Sequence, residues 1–377
     1  MLAGTGAGAA ALALAACAPS ESAAPTPAKD ISASDKTLTW SNWPAYIDAD
    51  DNGDYPTLLR FEDETGITVT YKVDIDDNDT YYGTVKDQLA LGKDTGADTF
   101  CLTEWMVGRL IRFGYVQELD EANIPNKKNL APALLNPDFD PGRKRSLPWQ
   151  NGLAGLAWNT EVVPGGLSSV DELWDPALKG KVTVLSEMRD TMGLLMLNAG
   201  VDISGGDWGT DEFGAAIDIL EKQLADGQLL GIKGNEYMQD FVSGDAVAAI
   251  AWSGDITVLN SEAGYEKWAF ALPDAGGTLW GDTFVVPMGS PRKTNAETLM
   301  NYYYEPEVAA EVAAWVNYIT PVVGAKEAAE ELFPEVAEST LIFPDEATLA
   351  KSHIFRTLNS ADDKAFNAEF QRVSLGA

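Results

Sequence analysis

The sequence predicts an α/β protein of two lobes, each a mostly parallel sheet flanked by helices, with a ligand cleft between them. Three observations carry this. The chain has 377 residues, 45% of them apolar, enough to fill two hydrophobic cores. Residues 37–113 read strand, helix, strand, helix, strand, helix, the order that builds a parallel sheet. After a change of texture at Arg143 to Gly155, a second series of the same kind begins.

In the first series Thr37 to Trp40 alternates as a strand should, and Pro56 to Glu64 is a predicted helix closed by Gly66. Ile67 to Val73 is β-branched and alternating, and Tyr81 to Leu91 has helical spacing. Asp98 to Leu102 is a predicted strand, and Glu104 to Phe113 a helix stopped by Gly114. The second series follows Leu153 to Trp158. It has strands at Val182 to Leu185, Ala246 to Trp252 and Thr283 to Pro287, and a helix at Asp211 to Ala225 whose Phe213, Ile217, Leu220 and Leu224 share one face. Helices at Asn295 to Tyr303 and Glu307 to Asn317 and a C-terminal helical region complete the chain. The expected division is 37–150 with 283–325 as one lobe and 151–282 with 326–377 as the other. Lobes joined by more than one crossing can close on a ligand by hinge bending.

Ala9 to Ala16 form a short apolar run ending in Leu14-Ala15-Ala16-Cys17, with small residues before the cysteine. The pattern predicts a lipoprotein signal over 1–17 with lipid carried by Cys17, hence attachment to a membrane through the anchor only. The Pro-, Ser- and Ala-rich stretch 18–36 lacks apolar periodicity and is expected to be a flexible tether. Cys101, in the apolar run Thr99 to Leu102, is expected to be small core filler.

With 58 acidic against 26 basic residues the formal charge is -32, a field that repels nucleic acid and concentrates cations. His353 is the only histidine, which excludes histidine-rich zinc sites. No G-x-S-x-G elbow, P-loop or G-x-G-x-x-G occurs. Asp48, Asp50, Asn52 and Gly53 open like a calcium loop, but its twelfth position is Leu59 rather than Glu. No metal, cofactor or catalytic residue is therefore expected.

Open α/β sheets bind ligands at the carboxyl ends of their strands. There the sequence places Trp43 and Tyr46, then Thr103, Glu104 and Trp105, then Glu187 and Asp190. Trp252 with Asp255 and Trp280 with Asp282 follow, each pair read as lying beyond an apolar strand. A polyamine is a methylene chain bearing ammonium groups. Its site needs carboxylates for the charges and aromatic walls for the methylenes. Three other readings stay open: a receptor for another small cationic or neutral solute, a secreted glycosidase using paired carboxylates, and a lipid-anchored structural or adhesion module.

At these residues the chain resembles the bacterial polyamine-binding proteins, type II periplasmic binding proteins that serve spermidine and putrescine importers. The resemblance runs from about Thr37 to the C-terminus. It is carried by Ser41-Asn42-Trp43-Pro44-Ala45-Tyr46-Ile47, like the family's N-W-x-x-Y segment; by Phe61 to Val69, like F-x-x-E-T-G-I-x-V; and by Leu173-Trp174 with Pro176 and Lys179-Gly180. Trp252 to Asp255, Trp280 to Asp282 and Tyr318 to Pro321 complete the set. The resemblance implies that Trp43, Trp105, Trp252 and Trp280 box the alkyl chain, and that Glu187, Asp190, Asp255 and Asp282 take the ammonium groups. Thr103 and Tyr318 are implied as hydrogen-bonding partners. The form of the Trp252 motif is more like that of putrescine receptors, which leans toward a diamine. The implied partners are a polyamine and the permease subunits of an ABC transporter.

Overall fold

Ten strands form one sheet, eight of them in a continuous path, in this computed structural model, which describes residues 25–50 and 52–376. They are β1 (Thr37–Asn42), β2 (Thr68–Val73), β3 (Thr99–Thr103), β4 (Leu147–Asn159), β5 (Val182–Leu185), β6 (Leu229–Lys233), β7 (Ala248–Trp252), β8 (Trp268–Ala271), β9 (Gly277–Val285) and β10 (Ser352–His353). The order is β2-β1-β3-β9-β4-β7-β5-β6, with β8 paired to β4 and β10 to β9. Cys17 and the expected signal segment lie outside the described residues.

The two ends of this path are parallel, as the alternating strands and helices require: β1 pairs in parallel with β2 and β3, and β5 with β6 and β7. The middle departs from the expected parallel sheet. There β9 runs antiparallel to β3 and β4, and β4 antiparallel to β7 and β8. The reason is topological. β4, at 13 residues, carries the chain out of one half and β9 carries it back, so each meets its neighbours head to tail.

The cores divide accordingly. Leu38 to Trp149 and Phe284 to Ala337 supply two adjoining apolar clusters of a first lobe. Ala154 to Trp268 and Phe355 to Val373 supply the core of a second. Two of the expected boundaries, at 150/151 and 282/283, fall inside β4 and β9. The third is displaced: Ala329 and Ala337 pack in the first lobe, so the last crossing lies between Ala337 and Phe355 rather than at 325/326. The segment 25–36 also differs from the expected tether. Ala28 donates its backbone N–H to Met288 O at 2.8 Å, and Ile31 does the same to Pro291 O at 2.8 Å. Backbone hydrogen bonding to a neighbouring loop orders a stretch that has no apolar face of its own.

Local chemistry places the helices that bear site residues. The helix Glu104–Phe113 starts directly at the carboxyl end of β3 and stops where Gly114 takes a left-handed φ of 71°. The helix Met188–Asn198 is opened by Glu187, whose carboxylate accepts from Arg189 N–H. Among the described residues no helix is long and apolar enough to cross a membrane.

Candidate functional site

Trp280 and Asp282, expected beyond a strand, lie inside β9. Side chains alternate along a strand, so Thr278, Trp280 and Asp282 share one face, and four residues span about 13 Å. β9 sits between β3 and β4, with Thr103 and Gln150 directly opposite Asp282 on either side. Asp282 is 5% exposed. Its two oxygens accept from Thr103 Oγ1 at 2.7 Å and Tyr46 Oη at 2.8 Å.

Thr278, at the other end of the row, donates to Asp190 Oδ1 at 2.5 Å, and Trp252 Nε1 donates to Asp190 Oδ2 at 2.8 Å. Asp255 accepts from Tyr237 Oη at 2.8 Å, Asn235 Nδ2 at 2.9 Å and Tyr318 Oη at 3.2 Å. Tyr318 belongs to the first lobe's core and Asp255 to a helix of the second, so this bond spans the cleft. The Tyr318 ring meets Trp280 edge-on at 5.1 Å and Tyr46 at 5.8 Å. Two glycines make the close approaches: a Cβ on Gly152 would fall 2.2 Å from Trp280 Cζ2, and one on Gly254 2.6 Å from Tyr318 Cζ.

Asp190, Asp255 and Asp282 are all buried, and none of them makes an ion pair with Lys or Arg among the described residues. Every hydrogen bond they accept comes from a neutral donor. Burial pushes the Asp282 carboxyl up to about 6, against the downward pull of Thr103 and Tyr46. Burial likewise lifts Asp190 to about 6, opposed by Thr278 and Trp252, and raises Asp255. Burial holds Tyr46, Tyr237 and Tyr318 well above their ordinary range, so their hydroxyls remain protonated donors. Arg189 pulls Asp190 down by its charge without pairing with it.

Trp43 donates Nε1 to Cys101 O at 3.1 Å and packs, partly buried, against both first-lobe clusters. Glu187 borders a neighbouring interlobe cavity of about 340 Å³ shared with Asp77, Asp79 and Trp105. Burial drives its carboxyl up to about 8; the charges of Asp190 and Asp77 add to this, and Arg189, 3.8 Å away, opposes it. Trp105 has a different neighbourhood from the alkyl box implied by resemblance. The Arg189 guanidinium lies 4.1 Å and that of Arg109 4.9 Å from its ring centre. Both arginines converge on Asp363, each at 2.9 Å, and Arg109 comes from the first lobe while Arg189 and Asp363 belong to the second. Trp105 is thus stacked by the protein's own cations at a lobe-to-lobe ion pair.

Sequence reasoning did not single out Tyr237, Asn235, Thr278 or Gln150. Thr278 and Gln150 had a legible signal in the period-two spacing around Asp282 once β9 and β4 are recognised as strands. Tyr237 and Asn235 had none, since a turn between β6 and the helix Tyr237–Ser243 brings them to Asp255.

Comparison with known proteins agrees with this architecture. A spermidine/putrescine-binding periplasmic protein of Salmonella typhimurium is 28% identical over 347 residues, covering 91% of this chain and 93% of its own. A putrescine-binding periplasmic protein of Escherichia coli is 27% identical over 369 residues, covering 92% and 93%. The solved structure of the spermidine/putrescine ABC transporter substrate-binding protein from Streptococcus pneumoniae superposes with a TM-score of 0.73. It is 25% identical and covers 90% of this chain and 98% of that one. The model of one family, bacterial extracellular solute-binding protein, matches residues 58–340. Two lobes around a cleft with three buried, unpaired aspartates, together with that match across most of the chain, make this protein a member of the bacterial extracellular solute-binding family.

Proposed function

We propose that the protein captures a polyamine such as putrescine or spermidine between its lobes and delivers it to the permease of an ABC importer, without chemical change. One observation carries the reading: three buried aspartates share a cleft with Trp280 and Trp252 and have no protein cation to pair with. Burying an ionised carboxylate is costly unless a counter-charge arrives, and an ammonium group supplies it. The two ends of the β9 row, about 13 Å apart, suit an elongated ligand with charge at each end and methylenes against the indole between. Asp282, Asp190, Asp255 and Glu187 hold the charges, Trp43, Trp252 and Trp280 wall the chain, and Thr103 and Tyr318 orient the carboxylates. The names of the relatives point to the same ligand class. Lipid on Cys17 would keep the receptor beside its permease; Cys17→Ala should then release it from the membrane fraction.

Calorimetry with putrescine, spermidine, spermine and an amino acid tests the reading. Heat with at least one polyamine and none with the amino acid is expected. Absence of binding to all three polyamines would reject it.

A further inference from the structure

We propose that Gln150 is a specificity-determining residue of this site, accepting one N–H of the ammonium held by Asp282 and thereby selecting primary amines over N-methylated ones. The inference rests on the polyamine reading above and adds to it the chemical form of the amine.

Gln150 lies on β4 directly opposite Asp282 of β9. Cross-strand partners point to the same face, with Cβ atoms about 5 Å apart. Two positions on, Gly152 lies opposite Trp280 and is covered by its ring, which confirms that this face of β4 meets the site-facing row of β9. Thr103, Asp282 and Gln150 therefore form a row across β3, β9 and β4.

Within that row only Thr103 serves the carboxylate, donating at 2.7 Å. Gln150 is 2% exposed, and its Oε1 is buried with no hydrogen-bond partner. Buried polar atoms are nearly always satisfied, and an orphan acceptor beside an unpaired carboxylate marks the place of a donor that comes with the ligand. A primary ammonium carries three N–H donors and no acceptor, as the lysine head group does. Asp282 already accepts from Tyr46 and Thr103 and cannot take all three, so an adjacent neutral acceptor completes the shell. Each methyl on nitrogen removes one of these donors and adds an apolar group against Oε1.

The test compares putrescine with N,N'-dimethylputrescine, which is methylated at both ends and so cannot bind reversed to present a free amine. Calorimetry on the whole protein should show putrescine bound about tenfold or more tightly than the dimethyl form, the range expected for one hydrogen bond to a charged group. Gln150→Met, matched in length but without an acceptor, should weaken putrescine by about tenfold and leave the dimethyl form nearly unchanged, collapsing the ratio. Gln150→Leu, which also lacks an acceptor, should collapse the ratio in the same way and serves as the second variant if the first does not fold. Wild-type affinity for putrescine in Gln150→Met, or equal loss of both ligands, would overturn the proposal while leaving the polyamine reading in place. Wild-type protein that binds neither amine would overturn both.

Discussion

Tyr46 and Asp282 are 236 positions apart in sequence, and their side chains meet in a hydrogen bond of 2.8 Å in the cleft. The tyrosine holds the carboxylate in place without neutralising it. Asp282 is thereby oriented and buried, yet remains short of a positive charge.

Replacing the charge separates binding from folding. Asp282→Asn should weaken polyamine binding by about 2–5 kcal/mol, tens-fold or more. The ligand-free protein should not melt earlier at neutral pH. A carboxyl lifted from 3.8 to about 6 stores roughly 3 kcal/mol of burial penalty when ionised, and the amide removes it. Calorimetry and thermal melting of one preparation check both halves.

The same shifts set opposite pH dependences for stability and affinity. Asp190 and Asp282 ionise near 3.8 when unfolded but at about 6 when folded, so the folded state holds more protons between those values. Ligand-free stability should therefore fall as pH rises from about 4 to about 6, with Glu187 extending the decline toward about 8. Ammonium binding needs the ionised forms and should strengthen over the same range. At pH 5 affinity should be about tenfold lower if one carboxylate of pKa near 6 must ionise, and about a hundredfold lower if two must. Melting with and without putrescine from pH 5 to 8.5 reads both trends.

Removing the donors tests how the carboxylate is oriented. Tyr46→Phe leaves Asp282 with Thr103 alone and should move the affinity profile to higher pH, because hydrogen bonds to the charged form lower its pKa. Binding at pH 6 should weaken more than binding at pH 8. An unshifted profile would show that Tyr46 does not act through Asp282.

Arg109, on the first lobe, meets Asp363 on the second at 2.9 Å beside the Trp105 ring. This contact forms only when the lobes are together. Arg109→Gln should raise the polyamine dissociation rate by about tenfold with little change in association, measured by stopped-flow fluorescence. Equal slowing of association would place its role elsewhere.

Much of this architecture could be read from sequence because it rests on local periodicity. The helix Glu104–Phe113 and the strand Val182–Leu185 occur where apolar spacing and glycine stops put them. The crossing strands were harder. Along β9, Thr278, Trp280 and Asp282 alternate with Leu279 and Gly281, so a glycine and an acid interrupt the apolar run, and in sequence Trp280 reads as lying beyond a strand. The setting of Trp105 was also hidden, since Arg189 and Asp363 reach it through lobe closure rather than through any pattern near it in the chain. The segment 326–337 packs in the first lobe rather than the expected second because its alanines, Ala329 and Ala337 among them, suit either core by composition.

A crystal structure of the protein with putrescine tests the central claim most directly. One ammonium nitrogen should lie within hydrogen-bonding distance of Asp282, the methylenes should run along Trp280, and the other nitrogen should lie toward Asp190 or Asp255. A diamine bound away from Asp282, or a cleft occupied by a ligand without positive charge while Asp282 stays unpaired, would contradict it.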